Sequence, residues 1–163
     1  MAKVTVLKDT SLAEKLQRLS GRTEEVAKQA IYAGAQVLTD EIRKNLENLP
    51  EDQFRYLAEG EKFNGVPRSQ KQDLEDSLGV TPIGRDNTGD WNAKIGFDGY
   101  GSFPTAKYPR GVPNSLVARS VESGSSVRQK TPFVRPAIRA KKKEVIAAMQ
   151  AVIDEEISKT GGM

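Results

Sequence analysis

The stretch that decides the fold is TEEVAKQAIYAGAQVLTDEIRKNLENL, residues 23–49. Its apolar residues recur with a period near 3.6, which is typical of an amphipathic helix: Val26, Ala30, Ala33, Val37, Ile42, Leu46 and Leu49. Thr23 is a suitable N-cap, and Pro50 directly follows the last apolar residue. At 1.5 Å per residue the predicted helix is about 40 Å long. Its alanine-rich first half favours close approach of another element.

The residues before this helix are predicted to form an N-terminal arm and a short helix, over 1–22. Residues 3–7 alternate enough to be a short strand or a pairing arm. Ser11 and Glu14 have the spacing of a capping box, and Gly21 is expected to end the short helix.

A β-hairpin is predicted in the middle of the chain, after a short helix over residues 70–77. Residues 78–83 and 91–97 have the composition of two strands, and the second alternates in polarity. Residues 85–90 between them have the composition of a turn.

Two further segments, residues 50–70 and 98–113, are predicted to be irregular loops because glycine and proline interrupt them. We expect these loops to be mobile and to become ordered on docking. Asn114 is expected to cap a short helix that residues 123–126 terminate.

A second long amphipathic helix is predicted from Phe133 to about Ser158, with Pro136 in its first turn. The tail after it, residues 159–163, is expected to fray. The predicted architecture is α+β, as one domain over 1–163. In it, a small antiparallel sheet packs against the long N-terminal helix and the C-terminal helix.

The composition argues against several classes of function. The chain has 163 residues, of which 37% are apolar and 29% charged, and its net charge is +3. Cysteine and histidine are both absent, which removes disulfides, thiolate metal sites and the usual catalytic bases. No apolar run approaches the roughly 20 residues of a membrane span, and the first residues lack a signal-peptide core. We expect a soluble, intracellular product that is not an enzyme.

Carboxylates and glycines form candidate sites, each with a simpler explanation. Two clusters of carboxylates could bind a metal, but solvated helix faces explain them better: Asp73, Glu75 and Asp76, and Asp154, Glu155 and Glu156. Residues 84–90 superficially resemble a calcium loop but lack its ladder of ligands, which favours a turn. The glycines at 96, 99 and 101 do not form a dinucleotide fingerprint, because no amphipathic helix directly follows them.

A basic segment is the strongest candidate for contact with a polyanion. From 128 to 143 the chain has no acid and seven cations: Arg128, Lys130, Arg135, Arg139, Lys141, Lys142 and Lys143. Such a segment can follow phosphates, although a polar helix face against a neighbour explains it too. Loop aromatics are candidates for interface anchors or for packing on the core: Tyr100, Phe103 and Tyr108, together with Phe54, Tyr56 and Phe63.

The order of these elements resembles the neck or tail-completion proteins of long-tailed bacteriophages of the lambdoid type. Pro132 to Ala137, PFVRPA, matches that family's Pro-Phe-aliphatic-Arg-Pro-Ala motif in full. Glu122, Gly124 and Ser125 match a Glu-x-Gly-Thr-like stretch. Of a Gly-x-Leu-x-x-Ser-like turn only two residues match, Leu74 and Ser77.

The resemblance implies a structural virion protein, assembled in the host cytoplasm, that forms a ring, expected to be a hexamer. The ring would lie at the head–tail junction or the head-proximal end of the tail. Its implied partners are an adjacent neck or head-completion protein, a tail terminator or tail tube protein, and DNA that passes through the lumen without sequence specificity. The resemblance implies no catalytic residues, and from the composition we expect no cofactor, no metal and no membrane partner.

Two alternatives remain open from the sequence. One is a tail terminator, which stops polymerisation of the tail tube; the other is a DNA-binding protein that uses residues 128–143. We expect Phe133 to anchor the last helix to the sheet, with Arg135 and Arg139 pointing outward. Glu122, Gly124, Pro132 and Pro136 are expected to have structural roles.

Overall fold

The computed structural model describes residues 2–5 and 21–161. In chain order these residues form β1 (Ala2–Thr5), α1 (Thr23–Glu47), α2 (Arg68–Ser77), β2 (Leu78–Val80), β3 (Gly84–Arg85), β4 (Trp91–Phe97), α3 (Asn114–Ser123) and α4 (Val134–Gly161). The predicted α+β class is confirmed. The short helix expected before Gly21 lies outside the described residues, as do residues 6 and 7 of the predicted N-terminal strand.

The two long helices follow the sequence pattern closely. Helix α1 begins at Thr23, as predicted, and ends at Glu47. Helix α4 continues to Gly161, so the fraying expected from residue 159 is wrong for its first residues. Thr160 Oγ1 donates to the Glu156 carbonyl at 2.6 Å, and Lys159 forms ion pairs with carboxylates one turn earlier, which extends the helix.

Strand β4 is the central strand of the sheet and pairs with β1, β2 and β3. Its pairing with β1 is antiparallel, and the register places Ala2 opposite Ile95. The strand predicted over 78–83 forms only as β2, since Pro82 has no N–H group to donate. The predicted turn is confirmed over 86–90, where Asp86 Oδ1 accepts hydrogen bonds from the N–H groups of Thr88 and Asp90. Its first predicted residue, Arg85, instead belongs to β3 and pairs with Trp91.

The chain divides into two compact units, and α1, β4 and α4 each contribute residues to both. The first unit comprises Asp40–Gly79 and Gly96–Arg139, and the second comprises the described residues of Ala2–Thr39, Val80–Ile95 and Ala140–Met163. The single-domain organisation expected from the sequence stays a prediction.

The second unit has a core built from α1, β4 and α4. Its buried residues are Val26, Ala30, Ile31, Ala93, Met149 and Ile153. A Cβ atom on Gly34 of α1 would lie only 2.8 Å from Met149 Cγ of α4. The close approach expected at the alanine-rich half of α1 is therefore present, and it packs α1 against α4.

The first unit has its own buried apolar residues, which include Ile42, Leu46, Val66, Leu74, Val121, Phe133 and Ala137. Helix α3 begins at Asn114, and Pro113 precedes it as the N-cap residue. Asn114 is therefore inside the helix, and its predicted role as a cap is wrong. Its buried amide instead donates to the Asp98 carbonyl at 2.9 Å and holds the preceding loop against the helix.

Candidate assembly surface

The carboxylate of Glu122, at the end of α3, caps the first turn of α4. It accepts three backbone hydrogen bonds, from the N–H groups of Phe133 at 2.8 Å, Val134 at 2.9 Å and Arg135 at 2.9 Å. The first N–H groups of a helix have no partner within the helix, and a negative charge there interacts favourably with the helix dipole. The buried Glu122 therefore joins α3 to α4.

Phe133 holds the start of α4 against two other elements of the first unit. Its ring is 1% exposed and meets the ring of Phe97 in β4 edge-on, with 5.8 Å between ring centroids. Its carbonyl accepts a hydrogen bond from Asn45 Nδ2 of α1 at 3.0 Å. Phe133 therefore links α4 to β4 and α1, which is the placement expected from the sequence. Pro132 and Pro136 flank this point and are both exposed.

The segment between α3 and α4 is a compact turn that begins at Gly124. Gly124 has a φ of +79°, and a Cβ atom there would lie 3.2 Å from both N and Cβ of Lys130. Ser125 Oγ accepts hydrogen bonds from the N–H groups of Val127 and Arg128. Thr131 N–H donates to the Val121 carbonyl at 2.9 Å and closes the turn.

Arg128 departs from its predicted role in an exposed basic segment. Its side chain is only 6% exposed, and Nη2 donates to Gln70 Oε1 of α2 at 3.0 Å. Within the described part of the chain, its buried Nε and Nη1 have no hydrogen-bond acceptor. Burial lowers the pKa of the guanidinium, which stays protonated because the unperturbed value is so high. The prediction that Arg128 contacts a partner is wrong for this conformation, because the residue is inside the first unit.

The other cations of the basic segment are mostly accessible. In the first unit, Lys130, Arg135 and Arg139 are exposed, and Arg135 Nε lies 3.9 Å from Glu122 Oε1. In the second unit, Lys142 and Lys143 are exposed, whereas the half-buried Lys141 forms an ion pair with Glu144 at 3.0 Å. Contact of these accessible cations with a partner stays a prediction.

Residues 48–67, called loop 1 below, form a closed loop. Val66 N–H donates to the Pro50 carbonyl at 3.1 Å, and Asp52 N–H donates to the Val66 carbonyl at 3.0 Å. Gly65 lies between them with a φ of +98°, and a Cβ atom there would be 1.8 Å from the Pro50 oxygen. The neck of loop 1 therefore requires a glycine at this position.

Two further sets of contacts order the body of loop 1. Phe63 pairs with the turn after α3: its N–H donates to the Val127 carbonyl, and its carbonyl accepts from Gln129 N–H at 2.8 Å. Arg55 bridges two carboxylates of the loop, those of Asp52 and Glu61, at 2.5 Å each. These contacts argue against the mobility expected of this loop.

Residues 98–113, called loop 2 below, are closed in the same way. Gly101 N–H donates to the Val112 carbonyl at 2.9 Å. Gly111 has a φ of +107°, and a Cβ atom there would lie 2.0 Å from the Gly101 oxygen. Asp73 of α2 accepts two hydrogen bonds from Ser102, from its N–H at 2.7 Å and its hydroxyl at 2.6 Å. Loop 2 is thus also held, against the expectation of mobility.

Aromatic rings join the two loops. Phe54 of loop 1 meets Phe63 below it and Phe103 of loop 2 beside it, each edge-on with centroids 5.6 Å apart. Phe63 is buried, but Phe54 is 48% exposed and Phe103 is 36% exposed. Of the remaining ring residues, Tyr56 and Tyr100 are exposed and Tyr108 is half-buried. Packing on the core is therefore shown for Phe63, and a role of the exposed rings as interface anchors stays a prediction.

The carboxylate clusters do not form metal sites in the described part of the chain. Asp73 binds Ser102, as described above. Glu156 is buried rather than solvated and forms ion pairs with Lys159 at 3.0 Å and Arg22 at 3.3 Å. The pKa of Glu156 is lowered, mainly by the hydrogen bond from Lys159. Burial opposes this shift, and the positive charges of Lys159 and Arg22 add to it. Among the described residues, no helix combines the length and the apolar character that a membrane span requires.

Comparison with known families connects this geometry to a class of protein. Residues 10–124 match the family described as bacteriophage HK97-gp10, tail component. The chain belongs to the HK97-gp10-like family. No match was found among curated proteins or among solved structures.

The part that matches the HK97-gp10-like family extends from before α1 to the end of α3. It includes both closed loops, the sheet strands β2 to β4, and the capping residue Glu122. The match ends at Gly124 and therefore does not include residues 132–137, PFVRPA. This segment is the most specific part of the resemblance found in the sequence. Membership of a bacteriophage tail-component family implies a virion protein with other virion proteins as partners.

Proposed function

We propose that this tail component forms a closed ring at the head–tail junction or the head-proximal end of the tail, where it completes the tail and joins it to the capsid. Membership of the HK97-gp10-like family is the observation that carries the proposal. A ring of identical subunits, proposed here as a hexamer, uses two different faces of each subunit. Both its neighbours are virion proteins: a neck or head-completion protein on one side and a tail terminator or tube protein on the other.

The proposed role is structural rather than enzymatic, and it includes DNA passing through the ring. Exposed cations of the first unit, Lys130, Arg135 and Arg139, support a lumen that tolerates DNA. Exposed Lys142 and Lys143 in the second unit support it as well. Contacts of this kind are to phosphates and carry no sequence information.

Electron microscopy of lysates from a phage that lacks this gene tests the joining role. We expect filled capsids and separate tails of normal length, because tube growth is complete but the two parts cannot join. Complementation with the wild-type gene should restore joined particles. A lysate with normal joined particles would contradict the proposal.

The same experiment separates the joining role from the alternative of a tail terminator. Loss of a terminator leaves tube polymerisation unchecked, so tails of variable and excessive length would indicate that role instead. A purely DNA-binding role predicts two different results. The protein would bind duplex DNA with an affinity that falls steeply as salt concentration rises, and it would be absent from purified particles.

A further inference from the structure

We propose that the buried guanidinium of Arg128 binds a small inorganic anion, chloride or phosphate, between α2 and the turn that joins α3 to α4. The anion would accept hydrogen bonds from the N–H groups that Gln70 of α2 leaves free within the described structure. This binding site lies inside the first unit and does not depend on the proposed ring.

Arg128 is a buried charge for which the described residues supply no counter-charge. The residue is 6% exposed, and its described acceptor is a neutral amide oxygen, Gln70 Oε1 at 3.0 Å. Burial lowers the pKa of the guanidinium, and no carboxylate of the described residues opposes that shift. Burial of an unpaired charge is costly, and water satisfies its N–H groups without neutralising it. An anion meets both requirements.

The carboxylates around this part of the first unit are bound to other groups. Four of them accept hydrogen bonds or form ion pairs with groups other than Arg128: Asp52, Glu61, Asp73 and Glu122. The turn itself, residues 123–131, contains Arg128 and Lys130 and no acid. Lys62 Nζ donates to the Ser125 carbonyl at 3.1 Å and brings another positive charge to the turn. The charges near Arg128 therefore attract an anion.

The donors of Arg128 have the geometry that an anion requires. Gln70 accepts one N–H bond of Nη2, and the buried Nε and Nη1 have no acceptor in the described part of the chain. Because Nη2 carries a second N–H bond, an anion can accept from Nη2 together with either Nε or Nη1. Paired donors of this kind fit the oxygens of phosphate, and a single chloride ion can accept from both.

The position of loop 1 selects a small ion over a macromolecule. Phe63 forms a parallel bridge with Arg128, held by hydrogen bonds to Val127 and from Gln129. Residues paired in this way have side chains on the same face, and Phe63 is buried like Arg128. A phosphate of DNA or a side chain of another protein reaches the guanidinium only if this pairing opens. A small ion needs only a local fluctuation.

Unfolding of the full chain in urea, which adds no anion, tests the site. Sodium chloride or sodium phosphate would replace sodium gluconate at constant sodium concentration, so that the bulky gluconate anion is the reference. Above the dissociation constant, each tenfold rise in the concentration of a bound anion should lower the unfolding equilibrium constant by about tenfold. The salt that shows this dependence identifies the anion. No dependence on either salt would overturn the proposal.

Two methionine variants give a matched comparison. Arg128→Met replaces the guanidinium by an apolar chain, and Lys130→Met removes an exposed cation of the same turn. We expect Arg128→Met to lose the dependence on anion concentration and Lys130→Met to keep it. General effects of salt are common to both variants and therefore cancel in the comparison. The same dependence in Arg128→Met as in the wild type would show that the anion binds elsewhere.

Crystals of the unaltered protein decide the matter even if Arg128→Met does not fold. Crystals would be grown in sodium phosphate and in sodium bromide, where bromide stands in for chloride and is located by its anomalous scattering. We expect one of these anions in contact with Nε or Nη1 of Arg128. If both nitrogens contact only water or protein atoms in both salts, Arg128 is not an anion site.

Discussion

Glu122 lies eleven residues before Phe133, yet its Oε2 accepts a hydrogen bond from the Phe133 N–H at 2.8 Å. Together with the bonds from Val134 and Arg135, this carboxylate accepts hydrogen bonds from the backbone N–H groups at the start of a 28-residue helix. The segments around Glu122 and around Phe133, both of which the sequence indicates, therefore form one helix cap. It sets where α4 begins and hence where the exposed Arg135 and Arg139 lie.

Removal of the Glu122 carboxylate should destabilise the protein. We expect Glu122→Ala to lower the free energy of unfolding by about 2–3 kcal/mol, because it removes a cap and leaves N–H groups in a buried site unpaired. Denaturant unfolding measures this. Glu144→Ala is the control, since Glu144 is exposed and forms one ion pair in the described structure. An equal, small effect of both variants would argue against the capping role.

Phe133→Ala should be costly for folding, whereas Arg135→Ala should act on assembly. Truncation of a fully buried aromatic residue costs about 3–5 kcal/mol, and the melting temperature should fall accordingly. Arg135 is exposed, so its truncation should leave the melting temperature nearly unchanged and weaken association. If the Phe133→Ala protein had the melting temperature of the wild type, the buried position of Phe133 between α4 and β4 would be wrong.

The necks of both loops should not tolerate a side chain. Gly65→Ala and Gly111→Ala each place a Cβ atom within 2.0 Å of a carbonyl oxygen, so the backbone must move. Gly60→Ala is the matched control, with a φ of +78° but open space around the new atom; it should cost about 1–2 kcal/mol. Thermal unfolding should rank both neck variants clearly below the control. If Gly60→Ala were as unstable as Gly65→Ala, the loss of stability would come from the positive φ alone and not from the contact with the carbonyl oxygen.

Most regular elements could be predicted because their patterns are local. The 3.6-residue period predicted α1 and α4, and alternation predicted β4, within a few residues at each end. Asn114 was misassigned because its amide binds Asp98, a partner that only the folded loop supplies. Helix α4 was predicted too short because the contacts that extend it are side-chain pairs rather than apolar periodicity.

Less of the candidate site could be predicted from the sequence. Arg128 was placed in a surface segment with its basic neighbours, but it is buried because Phe63 pairs with the backbone on both sides of it. The sequence indicates the glycines of the loop necks only as part of the composition of a loop. Gly65 lies fifteen residues after Pro50, and Gly111 lies ten residues after Gly101. The sequence therefore gives no sign of which carbonyl oxygen lies against each glycine. The capping role of Glu122 likewise depends on tertiary contact.

The buried Arg128 leads to a prediction about pairs of substitutions. Gln70→Leu removes the described acceptor of a buried guanidinium and should cost about 1–3 kcal/mol or more. Adding Arg128→Met should recover most of that loss, because the apolar pair needs no acceptor. Equilibrium unfolding of both single variants and the double variant measures the coupling. A double variant that is no more stable than Gln70→Leu would show that Arg128 stabilises the fold in another way.

The central claim is a ring of this protein between capsid and tail, and a cryo-electron microscopy map of purified particles tests it most directly. We predict that the map shows a closed ring of subunits with this fold at the head–tail junction or the head-proximal end of the tail. The basic residues of α4 should face the DNA path. A map that accounts for the whole neck without this chain, or places it elsewhere in the particle, would contradict the account.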